Sequence, residues 1–155
     1  MPARVKEGGV TLFELLIVIA IVGILAGIAI PSFKSMVVSQ RLKNISFELN
    51  ASLQYARSEA VKRQANATMT PTSGTAWENG WSVSAASLTL KNFSGVTGVS
   101  IYGPTSVVFR QDGRVSTGQG TPFVISANPA ISGITSRCIS LDPSGLAKSR
   151  SGTSC

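Results

Sequence analysis

A glycine pair and a lone carboxylate inside an apolar run are the most reactive pattern in the chain, in Gly8-Gly9-Val10-Thr11-Leu12-Phe13-Glu14-Leu15-Leu16. A short stretch carrying Arg4 and Lys6 ends in glycine. A run of 21 residues, 10–30, follows, interrupted only by Thr11 and Glu14, and Pro31 closes it. As a helix rising roughly 1.5 Å per residue the run reaches about 32 Å, enough to cross a bilayer core. A carboxylate near the edge of such a run is costly in lipid, so it needs a partner or a function. Scission after Gly9 would supply one: a new α-amino group on Val10, one helical turn from Glu14.

Other chemistry is scarce. The chain has no histidine, the commonest general base and metal ligand. Beyond the apolar run the carboxylates are Glu48, Glu59, Glu78, Asp112 and Asp142, spread singly with no acid/base pair in view. Two cysteines without a histidine make a poor zinc site. The expectation is a chain that is not an enzyme and carries neither cofactor nor metal.

The N-terminal segment resembles the class III signal of type IV prepilins and type II secretion pseudopilins. The resemblance implies that a prepilin peptidase/methyltransferase removes the leader (1–9) after Gly9 and methylates Val10. It also implies that Glu14 guides assembly into a helical filament. The pattern departs at Val10, where phenylalanine is usual, and at Phe13, where isoleucine or valine is usual; both positions stay apolar. An ordinary signal peptide is the plainer alternative, but it has a shorter core, no acid inside it and a cleavage site beyond it. Here the glycine precedes the run, so residues 10–31 would remain as a transmembrane helix. Gly23 and Gly27 within it have the small-xxx-small spacing that lets helices approach closely, or are simply tolerated there.

Helical character continues past Pro31. Leu42, Ile45, Leu49, Leu53, Ala56 and Ala60 recur at spacings of three or four and mark one apolar stripe. The simplest reading is one helix over about 10–64, kinked near Pro31, whose second half (32–66) is amphipathic. Its end, Leu53-Gln54-Tyr55-Ala56-Arg57-Ser58-Glu59-Ala60-Val61-Lys62-Arg63, resembles the signature of the GspH/FimT/FimU family. Glu59 and Arg63 suit an i,i+4 pair, and Arg57 is expected to reach along the helix. After residue 66 the composition turns to Thr, Ser, Gly and Val. Strands are predicted at 67–70, 80–84, 87–91, 99–102, 106–110, 114–116, 123–126, 137–141 and 146–149. Asp112-Gly113 marks a hairpin turn, and Asp142-Pro143-Ser144-Gly145 suits a type I turn. The pieces 107–115 and 139–148 resemble the two hairpins of the family's C-terminal domain. The fold class this implies is α+β, type IV pilin-like: a long N-terminal helix packed on antiparallel β-sheet, with 67–155 forming the β domain.

If the domain is exported, as the leader implies, Cys138 and Cys155 read as a disulfide. Localisation would be the inner membrane, single-pass, with the C-terminal domain in the periplasm. The partners implied are other minor and major pilins, the inner-membrane assembly platform and inner-membrane lipid. The leading function is a minor pilin that initiates or caps a type IV pilus; a type II secretion pseudopilin is the close alternative. Net charge is +7, and loss of Arg4, Lys6 and Glu7 with the leader takes it to +6. Some FimT-like proteins bind DNA through C-terminal arginines during natural transformation. Arg114, Arg137, Lys148 and Arg150 are the corresponding candidates for phosphate contact. The tail carries fewer arginines than such a role favours, and a solvated basic surface ranks ahead of it.

Overall fold

The computed structural model describes residues 9, 11–118 and 120–155, the side chain of residue 31 excepted. The expected leader, Gly9 apart, and the expected methylation site Val10 lie outside the described residues. The chain divides after Met36 into two compact units.

The first unit is the N-terminal part of α1 (Leu12–Arg63), which runs through residue 31 as one element. Its large side chains, from Leu12 and Phe13 to Ile28 and Ile30, are exposed on every side of the helix. A helix that is apolar all round is found where lipid or other protein covers it. By length and composition this one suffices to cross a membrane.

In the second unit α1 becomes amphipathic, with the expected stripe Leu42, Ile45, Leu49, Leu53, Ala56 and Ala60 wholly buried. The helix ends at Arg63 because Gln64 turns left-handed (φ 50°). Ala65 then donates to the Ala60 carbonyl at 3.2 Å and Gln64 to that of Val61 at 3.3 Å, satisfying two of the last carbonyls as in a Schellman motif.

All nine predicted strands are present, with ends moved by a few residues: β1 (Ala67–Ser73), β2 (Ala76–Ala85), β3 (Leu88–Ser94), β4 (Val99–Tyr102), β5 (Val107–Phe109), β6 (Val115–Thr117), β7 (Phe123–Ala127), β8 (Arg137–Leu141) and β9 (Ala147–Ser151). They form two antiparallel sheets, in the orders β3-β2-β1-β5-β6 and β4-β7-β8-β9. The division rests on β1 pairing with β5 and β4 with β7, contacts between distant segments that strand periodicity does not encode.

Inward residues of both sheets close on the helix stripe, among them Met69, Trp77, Trp81, Phe109, Phe123, Ile125 and Ile139. Trp77 of β2 meets the Phe123 ring of β7 edge-on, centroids 4.9 Å apart, and its indole N–H donates to the Pro104 carbonyl at 2.8 Å. That buried ring therefore joins the sheets without leaving a polar atom unpaired.

Candidate functional site

Thr11 precedes the first residue of α1 and caps it. The Glu14 backbone N–H donates to Thr11 Oγ1 at 3.1 Å and Leu15 N–H to the Thr11 carbonyl at 3.1 Å. The Thr-x-x-Glu spacing of a capping box was there in the sequence. Glu14 thus sits in the first helical turn, where the helix end favours a negative charge, and its side chain is exposed. Gly9 is exposed too, and a Cβ built on it would meet nothing within 4 Å. Among the described residues no contact demands glycine there.

The four basic candidates are divided between the sheets, Arg114 in one and Arg137, Lys148 and Arg150 in the other. Arg114 lies just past the β5–β6 turn in one sheet, exposed, with its N–H held by Asp112 Oδ1 at 3.0 Å. Arg137 opens β8 in the other sheet and is half-buried; its Nη1 donates to Ser151 Oγ at 2.9 Å. Lys148 and Arg150 alternate along β9, opposite Ser140 and Cys138, and share one face. Lys148 Nζ stands 3.6 Å from Asp142 Oδ2. That carboxylate is held below its usual range chiefly by the Ser144 hydroxyl, with backbone donors and Lys148 adding to the effect. Cys138 and Cys155 are bonded, Cα atoms 5.8 Å apart, and tie the last residues to β8.

The segment 53–63 works through contacts its sequence only partly reveals. Glu59 receives Arg63 Nε at 2.6 Å and Lys62 Nζ at 3.8 Å. The Arg63 hydrogen bond is the main cause lowering the Glu59 pKa, against the opposing pull of desolvation. Arg57 departs from the expectation that it reaches along the helix: its Nε donates off the helix to the Gly113 carbonyl at 3.0 Å. Both hairpins converge on this point. In each, a three-residue loop ends in a left-handed glycine, Gly113 (φ 77°) or Gly145 (φ 85°). The Val115 N–H bonds the Pro143 carbonyl at 3.2 Å, so the two turns abut under Arg57.

A family model described as Type II transport protein GspH matches residues 48–145, more than half of the chain. The chain belongs to the GspH family. Its turns at Gly113 and Gly145 and the Arg57 that joins them all fall inside that match, and a separate model, the prokaryotic N-terminal methylation motif, covers residues 4–30. The methylation motif implies processing by a prepilin peptidase and pilin-family partners. Two crystal forms of the type IV minor pilin FimU of Pseudomonas aeruginosa share the fold. One has TM-score 0.61 at 25% identity over 73% of this chain and 98% of that one. The other has TM-score 0.64 at 24% identity over 75% and 96%. The fimbrial protein EcpB of Eikenella corrodens is 44% identical over 46 residues, 30% of this chain and 29% of that relative's length. GspH-family members are structural pilins and pseudopilins. Among the described residues no group of three or more His, Cys, Asp or Glu side chains could hold a metal.

Proposed function

We propose that this chain is a minor pilin whose leader is cut between Gly9 and Val10, whose new N-terminus is methylated, and whose helix then carries the β domain into a filament. Support comes first from the N-terminal part of α1: a helix apolar on all sides and exposed along its whole length requires lipid before assembly and neighbouring helices after it. The open space around Gly9 accords with a glycine required by a processing enzyme's pocket rather than by packing within the chain. Glu14, one turn from the new amine, would pair with that amine or with a neighbouring subunit's. Pairing offsets part of the desolvation cost both charges carry in lipid. The protein would wait in the inner membrane with residues 37–155 in the periplasm. It would then help to initiate or cap a type IV pilus on the assembly platform, among other minor and major pilins.

The GspH description favours a second reading, a type II secretion pseudopilin with the same processing and anchoring. Deletion separates the two: loss of pili with secretion intact supports the minor pilin, and loss of secretion with pili intact supports the pseudopilin. Under either reading Glu14→Ala should leave cleavage intact and block entry into the filament complex. A Glu14→Ala protein that assembles normally would refute the assembly role.

A further inference from the structure

Two hydrogen bonds fix which way the amides of β9 point. Before the strand, Asp142 N–H donates to the Leu146 carbonyl at 3.1 Å; after it, Gly152 N–H donates to the Ser136 carbonyl at 2.7 Å. Both pairs are in phase with Ser140 opposite Lys148 and Cys138 opposite Arg150. Hydrogen-bonded pairs recur every second residue in an antiparallel ladder. The even-numbered residues of β9 therefore bond β8, and the N–H and C=O groups of Ala147, Ser149 and Ser151 point away from the sheet. Among the described residues no strand lies beyond β9, and Ser149 and Ser151 are exposed.

Open edges are normally blunted. β6 has only 3 residues, β3 pairs through a register irregularity, and β4 gives its Ile101 N–H to Glu78 Oε2 at 3.2 Å. β9 has 5 residues, no proline and a regular register. Its surroundings carry net positive charge, Asp142 beside Lys148 included. Lys148 and Arg150 stand on one face, and Ser149 Oγ meets Ser46 Oγ of α1 at 2.8 Å. Lys43 lies one turn before Ser46 on that flank. Phe47 follows Ser46 about 100° further round the helix, on the side away from the core stripe, and is 67% exposed. A second copy pairing edge to edge would set Lys148 and Arg150 against like charges, which is unfavourable in directly opposed pairs.

We infer that the free edge of β9 is a docking site for an extended acidic segment of another protein, added as a fifth strand. The backbone ladder supplies affinity, and acidic side chains meet Lys148 and Arg150.

The probe is an end-capped hexapeptide alternating valine and glutamate, titrated into the detergent-solubilised full chain and followed by amide chemical shifts. Shifts should centre on 147–151 and on α1 around 43–50. N-methylating the peptide at alternate residues should weaken binding at least tenfold on the methylated edge and leave the opposite pattern of methylation nearly neutral. Ser149→Pro removes an outward N–H while sparing the bonds to β8, and should also weaken binding tenfold or more; Ser149→Ala, which loses only the hydroxyl, should stay within about threefold. If the proline variant does not fold, the methylated peptides decide alone. Equal binding by both methylated peptides, shifts elsewhere, or a single-stranded oligonucleotide binding β9 more tightly than the peptide would overturn the proposal.

Discussion

Replacing Gly145 with alanine tests whether the two hairpins really meet under Arg57. Gly145 has φ 85°, where an L side chain costs about 1–2 kcal/mol. A Cβ there would collide with the Gly113 carbonyl oxygen, a backbone atom, and press Arg57 Nε at 3.1 Å. Relief requires the turns to part. That loses the Arg57–Gly113 hydrogen bond, about 1.5–3 kcal/mol for a charged donor, and the Val115–Pro143 bond, about 1 kcal/mol. The smaller entropy of the unfolded alanine chain returns about 0.4–1 kcal/mol. The net expectation is a loss of roughly 3–5 kcal/mol. Gly133→Ala is the control: its φ is 80° and a Cβ would meet nothing within 4 Å, so it should lose only about 1 kcal/mol. Urea unfolding of the detergent-solubilised protein, followed by fluorescence of the buried Trp77 and Trp81, measures both. Equal losses at the two sites would refute the junction.

Three further outcomes bear on other parts of the fold. Ala86 and Ser87 form the β2–β3 turn with φ of 50° and 65°, so Ala86→Asn with Ser87→Gly should raise stability by about 1 kcal/mol in the same assay; unchanged stability would refute the strain. Cys138 and Cys155 close a loop of 17 residues, and replacing both with serine should cost about 3 kcal/mol by the loop-entropy estimate; free thiols in protein purified under oxidising conditions would contradict the bridge. Glu59 has its folded pKa lowered from an ordinary value of 4.5, so its contribution is complete above that value and is lost as pH falls through the folded pKa. Stability measured between about pH 5 and pH 3 should therefore fall more steeply in the wild type than in Glu59→Gln; identical slopes would remove Arg63–Glu59 from the account.

Much of the fold was written in local pattern. The spacing from Leu42 to Ala60 named the buried stripe, alternation named the strands, and Asp112-Gly113 and Asp142–Gly145 named both turns. What local pattern lacked was pairing between distant segments. The split into two sheets depends on β1 with β5 and β4 with β7, and neither pairing leaves a trace in periodicity. The same limit hid Arg57: its surroundings in the signature suggested a partner along the helix, yet its acceptor is a carbonyl 56 residues away. At the candidate site the Thr11 cap came from the structure, although its three-residue spacing to Glu14 is a signal that could have found it. The placing of Arg114 in one sheet and of Arg137, Lys148 and Arg150 in the other was not legible, because it follows from which strands pair.

The central claim is that this chain is processed to a filament subunit beginning at Val10. Intact-mass and N-terminal peptide mass spectrometry of protein extracted from its native membrane tests it most directly. The account predicts a single mature species lacking residues 1–9 and carrying one methyl group on the Val10 amine. A protein that keeps Met1 through Gly9 in cells with an active prepilin peptidase would contradict it.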